Sequence, residues 1–167
     1  MSPTPKTIVV TGLDQMITVS GICVQDTTPS MRPGMPIKIK PGGAHNEFMI
    51  EDAIFSDFQP ANKAIVLDDI SRGIGVDYAF SAGEAITVAY LTPGVVFWGR
   101  INDSSPDNID IGDYLTLPYS PSVEYRGTFS KWKYNLHLGV AMFGISLTKR
   151  LTGAEDKWVT IRYSKVW

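Results

Sequence analysis

No stretch of this 167-residue chain longer than about ten residues carries apolar side chains at the 3.6-residue spacing of an amphipathic helix. Short runs rich in β-branched and aromatic residues take its place, cut by glycine and proline at 7–10, 16–20, 22–25, 35–40, 64–67, 84–90, 95–101, 114–117, 138–147 and 157–163. That pattern predicts an all-β fold, a small β-barrel or a β-tulip or sandwich of short antiparallel strands. Residues 48–58 contain neither glycine nor proline and fit a short helix or an irregular strand.

The organising stretch runs from Asp77 to Leu117. Its run 84–90 stops at Thr92-Pro93-Gly94, where proline presets one turn position and glycine accepts the positive φ of the next. A returning run at 95–101 and another at 114–117, after Gly112-Asp113, predict a meander of locally paired strands. The run 64–67 reads as a buried strand. Residues 157–163 alternate strictly, with Trp158, Thr160 and Arg162 on one face and Val159, Ile161 and Tyr163 on the other.

Length allows one domain with a substantial core. Fifteen basic and 17 acidic residues leave a net charge of -2, which argues against a nucleic-acid binder that relies on a broad positive field. No apolar run approaches the roughly 20 residues of a membrane helix, so the chain is expected in the cytosol where it is made. The single cysteine, Cys23, excludes an internal disulfide. It lacks a C-x-x-C partner and basic neighbours, and reads as a structural thiol turned away from Ile22 and Val24.

Catalytic patterns are missing. His45 and His137 are far apart in sequence, and no G-x-S-x-G elbow is present. Gly73-Ile74-Gly75 lacks both the third glycine and the following helix of a dinucleotide site. The acidic loop 102–110 is rich in oxygen ligands, but Pro106 and the spacing depart from a calcium loop, so it reads as a plain exposed turn. No catalytic residue, metal or cofactor is expected. Phe129, Trp132 and Tyr134 alternate with Lys131 and Lys133. That arrangement suits base stacking or a protein contact, and the acidic balance favours a protein contact or core.

Taken together, the order of motifs resembles the capsid decoration, or cement, proteins of tailed bacteriophages. The motifs are Arg32-Pro33-Gly34, then Tyr78 with Gly83-Glu84 and Val88, Leu91-Thr92-Pro93-Gly94, Ile111-Gly112-Asp113-Tyr114-Leu115, Gly139-Val140-Ala141 and Trp158-Val159-Thr160-Ile161. They span about residues 31–163. The aromatic-lysine segment 129–136 and the strands before Pro29 depart from the family pattern.

The resemblance implies a non-enzymatic virion protein on the exterior of an icosahedral head. It would bridge neighbouring major capsid proteins as a homotrimer or a dimer, without direct contact to nucleic acid or membrane. On this reading residues 1–29 form a tail and β-rich arm, and residues 30–167 form the decoration domain. The arm either adds strands to a neighbour or completes the domain's own sheet. Expected contact residues are Ile8, Val10, Ile17 and Val19 on the arm, with Trp98, Phe129, Trp132 and Tyr134 on the domain. The competing reading is a carbohydrate- or host-surface-binding β-sandwich, with Trp98, Trp132 and Trp158 as stacking platforms.

Overall fold

The computed structural model describes residues 4–24, 30–41, 48–52, 63–101, 108–117, 127–133, 142–151 and 158–164. The fold is all-β, as the punctuation of the sequence predicts. Its strands are β1 (Val9–Thr11), β2 (Ile17–Cys23), β3 (Pro36–Pro41), β4 (Phe48–Asp52), β5 (Ala64–Val66), β6 (Ala85–Tyr90), β7 (Val96–Arg100), β8 (Tyr114–Thr116), β9 (Ser130–Lys131), β10 (Gly144–Ser146) and β11 (Trp158–Tyr163). The ambiguous stretch at 48–58 is therefore strand through Asp52, and its remainder lies outside the described residues.

Two sheets form, and they do not merge into one barrel. The first has six strands in the order β1-β7-β11-β10-β8-β9. The second runs β2-β4-β3-β5-β6 and returns to β2, closing on itself as a small barrel. Its one parallel joint among the described residues is the β2–β4 pairing, with Ile22↔Met49 and Cys23↔Ile50 in register. The packing of one sheet against the other is that of a β-sandwich.

Alternation along β5 and β6 explains how the sheets share side chains. Ala64 and Val66 on β5, with Ile86 and Val88 on β6, point into the barrel beside Cys23, Ile37 and Ile39. Ile65 and Ala89 point the other way, into a core with Phe97, Leu115, Phe129, Phe143, Val159 and Ile161. A strand buried on both faces reads as a continuous apolar run, which is why 64–67 shows no polar alternation. Within the second core the Phe129 and Phe143 rings meet edge-on at 4.7 Å, and Phe143 meets Tyr163 at 5.7 Å.

The predicted meander does not form. β6 pairs with β2 and β5, whereas β7 pairs with β1 and β11. Thr92-Pro93-Gly94 is a turn, with Val95 N–H donating to Thr92 C=O at 3.2 Å and φ of 96° at Gly94. It nonetheless passes the chain from one sheet to the other. Turns with proline first and glycine second splay the flanking strands, unlike the primed turns that suit a tight hairpin. β8 likewise pairs with β10 and β9, not with β7.

Of the two alternatives for the N-terminal segment, the described strands follow the second and pair within their own chain. β2 runs antiparallel to β6 from Ile17↔Tyr90 to Ile22↔Ala85, and β1 joins β7 through Val9↔Phe97. Ile8 donates its N–H to Asp68 Oδ1 at 2.9 Å and accepts from the Trp98 N–H at 2.8 Å. The segment thus completes both of the chain's own sheets.

Candidate interaction surface

Arg100 occupies the joint between the sheets, at the end of β7. It is 6% exposed. Its Nε donates to the Pro33 carbonyl at 2.9 Å, and one terminal nitrogen donates to the Val76 carbonyl and to Asp77 Oδ1. The guanidinium lies 4.1 Å from the centroid of the Trp158 ring, its directly opposite residue on β11. Proline and glycine shape the other half of the joint. Gly34 has φ of 82°, and a Cβ there would meet Trp158 Cζ3 at 2.7 Å and the Trp98 carbonyl at 2.8 Å. Only glycine lets the Arg32-Pro33-Gly34 turn approach the six-stranded sheet this closely.

The motifs behind the family resemblance have local structural work. Glu84 accepts from the Tyr78 hydroxyl at 2.9 Å and from the Ser81 N–H at 2.8 Å, tying the turn that opens β6. Asp113 accepts from the Asp110 N–H at 2.7 Å and pairs with Lys131 at 2.7 Å. Lys131 is therefore engaged by a carboxylate beside the aromatic cluster. The Gly139-Val140-Ala141 motif lies outside the described residues.

The expected contact residues separate into different environments. Ile8 and Phe129 are each 0% exposed and belong to the core, so neither offers surface to a partner. Their apolar side chains are consumed by the packing between the sheets. Val19 and Trp98 are half-buried, packed against the barrel core and the inter-sheet core respectively. Trp132 is half-buried, and Tyr134 lies outside the described residues. Val10 and Ile17 are exposed, at 48% and 68%. Trp158 is 5% exposed beneath Arg100, so it is no stacking platform for a sugar.

Sequence reasoning missed several exposed apolar residues. Leu13 joins Val10 and Ile17 within one run of the N-terminal segment. A second group, Ile111, Tyr114 and Leu151, flanks the bridge between Ile109 and Arg150 and the start of β8. Ile111 precedes the glycine of a turn closed by Asp113 N–H to Asp110 C=O. An isoleucine in a turn otherwise built from Asp and Gly is a signal the sequence does contain. β1 and β8 are four strand spacings apart in their sheet, roughly 19 Å.

Cys23 is buried in the barrel, turned away from Ile22 and Val24. Among the described residues no group of three or more His, Cys, Asp or Glu side chains is placed to hold a metal. His45, His137 and residues 102–107 of the acidic loop lie outside the described residues. No helix among the described residues is long and apolar enough to cross a membrane.

Two tyrosines give the fold an alkaline limit. The hydrogen bond to Glu84 raises the Tyr78 hydroxyl above its ordinary value of 10.0, and burial raises Tyr163 above the same value. A raised folded value means stability is intact below pH 10.0 and is lost as pH climbs through the folded value. Thermal midpoints measured from about pH 8 to 11 should fall at the alkaline end, and more gently in a Tyr78→Phe/Tyr163→Phe variant. Identical alkaline slopes for the two proteins would show that these hydroxyls do not link folding to pH.

No family model matches this chain, and no curated protein matches it.

Proposed function

We propose that this protein is a structural, non-catalytic binding module that decorates the exterior of an icosahedral phage head and cements neighbouring major capsid proteins. The observation that carries the reading is the distribution of exposed apolar side chains. Six of the eight exposed large apolar side chains among the described residues fall into two groups, Val10-Leu13-Ile17 along the N-terminal segment and Ile111-Tyr114-Leu151 around the start of β8, while Ile70 and Tyr78 lie outside both. A clamp needs at least two contact surfaces, whereas an enzyme needs one convergent site. The order of turn motifs along the chain supports the same reading by resemblance. A protein that binds only the assembled shell stabilises it by mass action, because its contacts must be lost before the joints open.

On this reading Ile111, Tyr114 and Leu151 face the shell. Purified protein mixed with undecorated heads should bind to saturation and raise the temperature at which DNA-filled heads rupture. Ile111→Asp and Leu151→Asp should each weaken that binding about tenfold or more, since a charge buried in a contact without a partner is costly. Heads that neither take up the wild-type protein nor gain heat resistance would refute the proposal. The glycan-binding alternative loses one of its three platforms with Trp158 buried, and gains no other support.

A further inference from the structure

Along β11 the side chains alternate between the two faces of the six-stranded sheet. Ile161 and Tyr163 are buried, whereas Arg162 between them is exposed. Arg162 stands directly opposite Val96 on β7 and Ile145 on β10, and Ile145 in turn stands opposite Tyr114 on β8. The next row on that face holds Trp98, opposite Thr160, and Leu147, whose N–H donates to the Thr160 carbonyl at 2.7 Å. Val96, Trp98, Ile145 and Leu147 are half-buried. The Arg162 guanidinium is therefore set among apolar side chains, and it makes no hydrogen bond or ion pair among the described residues.

We infer that Arg162 anchors this face to a protein partner by pairing with one of the partner's carboxylates, and that for a head-decorating protein this partner is the shell protein. Charge is the first support. Around the start of β8 the other cations are matched, Lys149 by Asp110 at 3.2 Å and Lys131 by Asp113 at 2.7 Å. Arg162 is left needing a counter-ion. A wholly apolar partner would bury it unpaired, which is costly, whereas a carboxylate meets its planar fork with two hydrogen bonds. A phosphate backbone would call for a row of such cations. The apolar rim is the second support, because it excludes water from the pair once a partner is seated. The third is continuity. The Val96–Arg162–Ile145 row ends on Tyr114, one of the exposed residues assigned to the shell contact. Arg162 lies two strand spacings from it, roughly 10 Å.

This anchor requires that the protein decorate heads, and one experiment separates the two claims. Wild type and three variants are titrated onto undecorated heads, and each protein alone is examined by sedimentation equilibrium. Arg162→Met should weaken binding about tenfold or more and Arg162→Glu further still, since each leaves the partner's carboxylate buried without a cation. Arg162→Lys should lose less, because it keeps the charge. Its amine should also be joined by a carbodiimide to an Asp or Glu of the shell protein, a cross-link at position 162 that the wild-type guanidinium does not form. All three variants should melt within about 2 °C of wild type, because the side chain holds nothing in the fold.

Heads that take up wild type and Arg162→Met equally well overturn the anchor and leave decoration intact. So does an Arg162→Lys protein that binds but yields no cross-link at that position. Heads that bind none of the four proteins overturn decoration, and the anchor with it. Self-association of the wild type that Arg162→Glu abolishes would assign the face to a second copy of the chain and likewise overturn the anchor.

Discussion

Arg100→Leu should lower the unfolding free energy by about 4 kcal/mol. The buried carbonyls of Pro33 and Val76 each lose a charged donor, a loss of about 1–3 kcal/mol apiece. The stack on Trp158, at 4.1 Å, adds roughly another 1 kcal/mol. The ion pair with Asp77 contributes little, because the Asp77 side chain is 60% exposed and water screens it. Arg100→Lys keeps the charge but not the planar fork that reaches two carbonyls while lying on a ring, and should recover about half of the loss. For a chain of this size the leucine variant corresponds to a fall in Tm of roughly 10 °C. Urea unfolding of the three proteins measures the series directly. A leucine variant within about 1 kcal/mol of wild type would mean that the joint is held by apolar packing and not by this side chain.

Gly99→Ala is the second large effect, expected to be about 3 kcal/mol, at the upper end of overpacking costs. An added Cβ would stand 2.3 Å from Ile161 Cδ1 and 2.8 Å from Phe129 Cδ2. Both neighbours are fully buried, and Phe129 is locked edge-on against Phe143, so neither has room to retreat. Trimming one neighbour should relieve the clash. Gly99→Ala combined with Ile161→Val should be less destabilised than the sum of the two single variants, a positive coupling expected of residues in contact. Gly75→Ala is the control, since nothing lies within 4 Å of its added Cβ. Equal losses for the Gly99 and Gly75 variants would refute the steric explanation.

These two positions show where reading from sequence alone runs out. Gly99 looks like any strand glycine. Its importance comes from Phe129, a residue 30 positions later that crosses back to bridge Ile101. Arg100 at the end of an apolar strand reads as a solvated cation, because charged side chains usually end outside. It is buried because the Arg32-Pro33-Gly34 turn before β3 and the Val76-Asp77 segment between β5 and β6 present carbonyls to it. The aromatic-lysine cluster was only partly legible for the same reason. Phe129 faces the core, Lys131 turns to Asp113 and Trp132 is half-buried, so one run of sequence is divided among three environments.

Backbone sterics and side-chain periodicity act over a few residues, so the amino-acid sequence by itself determined that the chain is all-β and that 64–67 is a buried strand, although it wrongly placed a strand break at Gly21, which lies inside β2. Partner choice is different. Main-chain hydrogen bonds carry no label for the strand they join, and the gain from a pairing depends on side chains distant in sequence. Only the tertiary structure therefore decided that Thr92-Pro93-Gly94 hands the chain between sheets, that residues 9–23 complete those sheets, and that Ile8 and Phe129 lie inside while Val10 and Ile17 remain outside.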